Sequence, residues 1–241
     1  MVGGTTGAAA YVAIYDSVTE NQVCEAAFVP IDPADPLHAY DQGHVFGVVF
    51  GNGGFYAVGE AHDTTSTPDN FDAFIQRFDG ACQKADPATG PVIVGGPDHD
   101  AFKGVTVSAA GVFAAGYIHL LDDDQFLAER WSADLATNAY AFFYPITGTA
   151  GGNHWNTVAS DAAGNAWTLG YLHLTAAATD QRLEENRPAP DGSVTGGQVF
   201  FASDSGPSEY TSVKRGGDNL MRRSLYQRVN LMPIRTFRRA I

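Results

Sequence analysis

Short segments in which apolar residues alternate with polar or small ones recur along this chain. Residues 102–108 follow that pattern, which is typical of a β-strand buried on one face. A turn of two alanines and Gly111 comes next, and glycine supplies the positive φ that a tight hairpin needs. Residues 112–119 then predict the returning strand of a hairpin.

Two more strands complete a unit. Residues 125–131 and 140–146 are rich in the aromatic and aliphatic side chains that favour strands. No convincing 3.6-residue period appears before residue 210, so helices are not predicted within the unit. Each unit is therefore predicted to be a four-stranded antiparallel sheet.

The unit is repeated, and glycines mark the repeat. Turn glycines are spaced by 57 and then 53 residues, at Gly54, Gly111 and Gly164. Second-strand glycines are spaced by 57 and then 54 residues, at Gly59, Gly116 and Gly170. Four-stranded units at such a period are typical of the blades of a β-propeller, which stack radially around a channel.

The predicted fold is all-β: a β-propeller or partial propeller of four-stranded antiparallel blades with a period of about 55 residues. Residues 1–206 hold the repeats, as a partial blade at 8–30 that opens on a third strand and blades at 43–95, 99–147 and 153–203. A propeller typically needs at least four blades. Three explanations therefore stay open: the tail at 207–241 completes the first blade, the chain is a fragment, or it is a protomer that assembles with others.

Two motifs carry a resemblance to a known family. They are Gly-Val-x-Val-Ser-x-x-Gly-x-Phe-x-x-Gly-Tyr, which begins at Gly104, and Asp-Ala-Phe-Ile-x-Arg-Phe-Asp-Gly, which begins at Asp72. Together they resemble the SBBP β-propeller repeats of bacterial secreted and surface proteins, and they are similar to NHL and delta-sixty repeats. The resemblance covers roughly residues 8–203. It implies an extracellular or cell-surface repeat protein, and it implies no common reaction.

Charge is divided unevenly between the repeats and the tail. Residues 1–206 carry 25 of the 27 acidic groups and six of the 14 basic ones, whereas residues 207–241 carry eight basic and two acidic groups. A body this acidic repels phosphate backbones, so nucleic acid is not a predicted partner. No apolar run reaches 18 residues, so no transmembrane segment is predicted.

Two parts of the sequence leave alternatives open. Residues 220–229 in the basic tail predict an amphipathic helix for an anionic membrane surface or partner, and the alternative is a poorly ordered end. Cys24 and Cys82 allow one disulfide without requiring it, so the redox compartment is left open. Residues 1–10 lack the features of a signal peptide, which fits a removed signal or a piece of a longer chain.

Six of the seven histidines occupy repeated positions. Three precede a first strand and three end a second strand, and hairpin geometry predicts that the two members of each pair face one another on one rim. The candidate binding residues on this rim are His44, His62, His99, His119, His154, His173, Asp98, Asp100, Asp123 and Trp155.

Three kinds of function fit this rim. We predict a non-catalytic, surface-presented scaffold without a cofactor that binds a protein or a polysaccharide. The enzyme alternative is a metal-dependent oxygenase or lyase, since imidazole and carboxylate from several blades can bind one ion, or a glycan hydrolase that uses Asp98 and Asp123. Calcium at residues 122–124 is a further candidate, although EF-hand spacing is missing. The third kind is a structural unit of a self-assembling surface layer. Repetition itself favours a structural role for the histidines.

Overall fold

The structure is a computed structural model, and it contains strands and no helix among the residues that it describes. The described residues are 1–31, 38–65, 70–85, 90–96, 98–120, 123–144, 154–160, 164, 166–173, 181–186, 201–202, 208–215, 220–227 and 235–240. Every ladder between named strands is antiparallel in this part of the chain. The all-β prediction is therefore confirmed.

The strands form five sheets, each with its strands in chain order. The first sheet contains β1 (Val2–Thr6), β2 (Ala9–Tyr15) and β3 (Gln22–Phe28). The second contains β4 (Tyr40–Gly51), β5 (Gly54–Asp63), β6 (Asn70–Asp79) and β7 (Val92–Val94). The third contains β8 (Ala101–Ser108), β9 (Gly111–Leu120), β10 (Asp123–Trp131) and β11 (Asn138–Tyr144).

The fourth sheet contains β12 (His154–Ser160), β13 (Ala166–His173), β14 (Gln181–Asn186) and β15 (Phe201–Ala202). The fifth contains β16 (Ser208–Arg215), β17 (Leu220–Gln227) and β18 (Arg235–Ala240). Strands β8 and β12 are both the first strand of their sheets. The predicted strands at 102–108, 112–119, 125–131 and 140–146 correspond to β8 to β11, which confirms them over the described residues. Residues 145 and 146 lie outside those residues.

Both ends of the chain differ from the sequence predictions. Strand β2 covers most of the segment expected to open the chain as a third strand, but β1 precedes it and pairs with it, so the first sheet begins one strand earlier. Residues 220–227 form β17 rather than the predicted helix. Strands β16 and β18 pair with the two edges of β17. A segment of ten residues gives only a weak signal for a helical period, so the pairing with neighbouring strands determines its structure. The tail forms a fifth sheet instead of completing the first.

A bulge interrupts the first strand of four successive sheets. In β4, β8, β12 and β16 the register shifts around one residue that has no partner on the second strand. The four bulge residues are Phe46, Lys103, Asn156 and Thr211, and their spacings of 57, 53 and 55 residues match the repeat. The bulge is therefore part of the repeated unit, and it extends the repeat into the basic tail.

Neighbouring sheets pack face to face. Phe55 and Tyr56 are adjacent on β5 and point to opposite faces; Phe55 packs against the first sheet and Tyr56 against the third. On β9, Val112 and Phe113 divide in the same way between the second and fourth sheets. The second strands are therefore apolar on both faces and buried along most of their length, which a strand between two sheets requires.

First strands also approach one another closely. A Cβ atom added to Gly47 on β4 would lie 3.5 Å from the Cα of Gly104 on β8, and one added to Gly104 would lie 2.7 Å from the Cα of Thr157 on β12. This spacing brings the starts of successive sheets side by side, which places their bulge residues near one another.

A disulfide joins the first two sheets. Cys24 on β3 is bonded to Cys82, which follows β6, and the two Cα atoms are 5.8 Å apart. Cys82 is buried in the core between these sheets, and Phe28 and Phe78 belong to the same cluster. The structure thus contains the disulfide that the sequence allowed without requiring. In the described part of the chain, no helix is long and apolar enough to cross a membrane.

Candidate functional site

Three imidazoles surround the ring of Phe71, at the start of β6, in a group that we call the Phe71 cluster. The ring centroids of His62 and His99 lie 4.9 and 4.5 Å from that of Phe71, and His44 stacks at 5.8 Å. His44 and His62 belong to the second sheet, whereas His99 directly precedes the third. Phe71 thus bridges two sheets at one end of the strands.

Carboxylates fix these imidazoles. His44 Nδ1 lies 2.8 Å from Glu60 Oε1, and His62 Nδ1 lies 2.6 Å from Asp41 Oδ1. The other oxygen of Glu60 lies 3.8 Å from His99 Nε2 and 3.9 Å from Lys103 Nζ. Glu60 is almost completely buried, so it serves two histidines and a lysine from a position with little access to water.

A second group, the Asp124 cluster, lies between the third and fourth sheets. Asp124 on β10 binds His119 Nδ1 at 2.8 Å and His154 Nε2 at 2.7 Å. His119 Nε2 also lies 3.5 Å from Asp98. The His154 ring stacks on Tyr117 with its centroid at 3.9 Å. Lys103 Nζ lies 5.5 Å from the centroid of that tyrosine, which connects the two clusters.

The two clusters are versions of one design. Phe71 pairs with His62 in the register of the second sheet, and Asp124 pairs with His119 in the register of the third. Each also contacts a histidine at or just before the start of the next sheet, His99 or His154. The repeated histidines therefore join adjacent sheets, through an aromatic ring in one case and a carboxylate in the other, and this geometry supports the structural role.

The electrostatics of the Asp124 cluster favour its ion pairs. Burial raises the pKa of Asp124, but hydrogen bonds and charge from His154 and His119 outweigh it and leave the pKa below its usual value. Burial lowers the pKa of His119, but the hydrogen bond to Asp124 and the charges of Asp98, Asp124 and Asp100 outweigh it and raise the pKa. Burial raises the pKa of Asp100 to about 7, against hydrogen bonds from the backbone of His119 and Gly96.

Stability is expected to be greatest in mildly acid solution. Because the pKa of His119 is raised, this residue stabilises the folded protein below the ordinary histidine pKa of 6.5, and the stabilisation is lost as the pH rises through the raised pKa. Asp100 acts in the same direction, because the native state keeps a proton that the unfolded chain releases between pH 3.8 and about 7. Because the pKa of Asp124 is lowered, this residue stabilises the folded protein above pH 3.8, and the stabilisation is lost in stronger acid.

Thermal unfolding of Asp124→Asn at two pH values checks this expectation. The variant removes the partner of His119 and His154, so its deficit in free energy of unfolding should be larger at pH 5 than at pH 8, by on the order of 1 kcal/mol. An equal deficit at both pH values would show that the charge of His119 is irrelevant to the sheet contact.

The structure brings most of the predicted rim residues together, but two of the three predicted pairs are not in register. His44 lies opposite Glu60 and His62 opposite Gln42, and the bulge at Phe46 moves the partner of His44 by one residue. His154 lies opposite Tyr171, not His173. The third pair, His99 and His119, lies beyond the last register partners of β8 and β9, which are Ala101 and Tyr117. The side chains of Asp123 and His173 lie outside the described residues.

Asp100 and Trp155 do not face a ligand. Asp100 is fully buried and accepts hydrogen bonds from the backbone N–H groups of Gly96 and His119. Trp155 is also fully buried and stacks on Phe126 with ring centroids 4.0 Å apart. Both side chains belong to the interior, and the structure removes them from the candidate ligand contacts.

Several residues of this site were not identified from the sequence, namely Glu60, Phe71, Phe46 and Lys103. Asp124, which lies five residues after His119, was identified only as part of the calcium candidate at residues 122–124 and not as a partner of the histidines. Among the described residues, no group of three or more His, Cys, Asp or Glu side chains is arranged to hold a metal ion.

Comparison with known proteins adds little. No protein-family model matches the chain, and no curated protein matches it. Among solved structures, it is similar to the endo-arabinase from Bacteroides thetaiotaomicron VPI-5482, with 12% sequence identity and a TM-score of 0.41 over 99% of this chain and 93% of that chain. A likeness of this size does not define how the sheets are arranged, and the resemblance to SBBP repeats stays a prediction.

Proposed function

We propose that this chain is a propeller-type binding module of an extracellular or cell-surface protein and that it recognises a polysaccharide. The observation that carries the proposal is the surface formed by the Phe71 and Asp124 clusters. It extends over three successive sheets, and it combines imidazoles, carboxylates and aromatic rings on one side of the strands.

The arrangement of the sheets supports a propeller. Each of the second, third and fourth sheets has four strands in chain order, and the second and third are covered on both faces by their neighbours. First strands lie beside first strands, as radial stacking requires. The resemblance to SBBP-type repeats points to the same architecture.

The chemistry of the surface supports a polysaccharide ligand. Sugars offer hydroxyl groups to planar polar side chains and C–H faces to aromatic rings, and sites for them combine a few fixed polar groups with aromatic contacts. Here the imidazoles are held by short hydrogen bonds to Glu60, Asp41 and Asp124. A surface whose side chains are already fixed loses little conformational entropy when a ligand binds.

The disulfide supports the location. Cys24–Cys82 joins two sheets through a loop of 58 residues, and structural disulfides persist in oxidising compartments such as the cell exterior. This bond fits the extracellular setting that the SBBP resemblance implies.

Affinity electrophoresis against a panel of soluble polysaccharides tests the proposal. The intact protein should be retarded by at least one of them, and His99→Ala should weaken that binding about tenfold, because His99 is 48% exposed and stacks on Phe71. Phe50→Ala is the matched control, since Phe50 is 53% exposed at the other end of β4 and should leave binding unchanged.

Two results would contradict this function. Failure of the protein to bind any polysaccharide in the panel would remove the ligand class and favour a protein partner. Release of reducing ends from a polysaccharide that binds would favour the glycan hydrolase instead of a non-catalytic module.

A further inference from the structure

The bulge positions separate what is constant in the repeat from what varies. In the second, third and fourth sheets the residue before the bulge is a buried apolar side chain, at Val45, Phe102 and Trp155. The bulge residue itself changes from phenylalanine to lysine, asparagine and threonine along the four sheets. The bulge position keeps its backbone conformation while its side chain changes. Its side chain is therefore not constrained by core packing, whereas the side chain before it is.

A bulge also determines which side chain is presented. The extra residue leaves the ladder, bends the strand and re-aims its own side chain, which is why bulges occur beside binding and catalytic sites. Phe46 accordingly remains 43% exposed although both of its neighbours are more buried. Lys103 reaches it from the next sheet, with Nζ 3.4 Å from the ring centroid. The bulge residues of the second and third sheets therefore meet on one surface.

The polar groups around Phe46 form a mixed set of donors and acceptors. Lys103, whose side chain is 25% exposed, contributes an ammonium group, and Glu60 lies 3.9 Å from it with the opposite charge. The same Glu60 oxygen lies 3.8 Å from His99 Nε2.

We propose that the bulge residues Phe46 and Lys103, together with Glu60, form the subsite that binds a neutral sugar. The exposed part of the Phe46 ring packs on a C–H face of the sugar, and Lys103 and Glu60 bind neighbouring hydroxyl groups as charged donor and acceptor. This inference rests on the proposed function and identifies the sugar class and the residues that select it.

Charge is the reason for the choice of a neutral sugar. The only cation in the subsite, Lys103, lies next to Glu60, so the pair presents no net positive charge to a carboxylated sugar. Residues 1–206 carry 25 acidic groups against six basic ones, and such a body repels an acidic polymer as it approaches.

The experiment compares neutral with acidic polysaccharides and bulge variants with matched controls. Soluble glucans, mannans, xylans and galactans are the neutral probes, and polygalacturonate, alginate and hyaluronate are the acidic ones. Phe46→Ala and Lys103→Met are the test variants. Phe50→Ala lies on the same strand, and Lys84→Met removes a lysine that also lies near an aromatic ring, 5.7 Å from the centroid of Phe28. Thermal unfolding confirms that each variant is folded.

The expected result is binding to at least one neutral polysaccharide and to none of the acidic ones, weakened about tenfold by each test variant and unchanged in the controls. Neutral binding that survives both test variants but is lost in His99→Ala would overturn this subsite and leave the proposed function standing. Binding of acidic polymers alone would overturn the sugar class. Absence of binding to every polysaccharide would overturn the proposed function together with this inference.

Discussion

Gly116→Ala is expected to lower the free energy of unfolding by about 3 kcal/mol, near the upper end of what overpacking costs. The reason is the bulge in the neighbouring strand. It presses the backbone of β8 against Gly116, so an added Cβ atom would overlap the carbonyl oxygen of Ala101 and lie 2.8 Å from the Cα of Phe102. Backbone atoms of a strand held by a hydrogen-bonded ladder cannot move aside as a flexible side chain does.

Thermal unfolding measures this effect against a matched substitution. Gly80→Ala introduces the same methyl group where nothing lies within 4 Å of it, and it should leave the melting temperature almost unchanged. For a chain of this size the loss at Gly116 corresponds to a drop of roughly 6–12 °C. Equal melting temperatures for the two variants would mean that β8 does not approach Gly116 as the bulge places it.

The same result should extend to the other repeats. The Cβ atom added at Gly59 would overlap the carbonyl oxygen of His44, and that at Gly170 the carbonyl oxygen of His154. These are the glycines whose spacing marks the repeat in the sequence. Each is required by the same close approach to a bulged first strand.

Removal of the disulfide by Cys24→Ser with Cys82→Ser is expected to cost about 4 kcal/mol, because the bond closes a loop of 58 residues and restricts the unfolded chain accordingly. The loss includes an effect on packing, since Cys82 is buried between the first two sheets. A cavity or a buried hydroxyl group at that point adds to the entropic term.

Treatment with a reductant separates the contribution of the disulfide bond to stability from that of side-chain packing at Cys82. Dithiothreitol should lower the melting temperature of the wild-type protein by roughly 8–16 °C and should have no effect on the double serine variant. The first sheet is expected to unfold more readily in both, since its attachment to the second sheet weakens. If the wild-type protein melts at the same temperature with and without reductant, the two cysteines do not stabilise it through a bond.

The repeated unit was available from the sequence because each of its signals is local. Alternation over residues 102–108, the turn at Gly111 and the spacing of the second-strand glycines depend only on neighbours along the chain. They predicted four strands per unit and the correct order of strands in the third sheet. The aromatic residues Phe102 and Trp155 are 53 residues apart, as the repeat requires, and both are fully buried.

The partners of the rim histidines required the tertiary structure. Spacing placed His44 and His62 across one hairpin, but a bulge shifts the register by one residue, and a shift of one residue in a strand changes which side chains meet. Contacts such as that of His154 with Asp124 join different sheets, so no distance along the chain predicts them. For the same reason the sequence did not predict the contact of Lys103 with Phe46.

The sequence alone therefore determined the class of the fold, the repeat and the rim on which the histidines gather. Only the tertiary structure decided that the basic tail forms strands, that Cys24 and Cys82 are bonded, and that Asp100 and Trp155 are interior residues. The physical reason is one of range: strand patterns and turns arise from interactions between residues close in sequence, whereas burial, bonding and ion pairing depend on which sheet lies beside which.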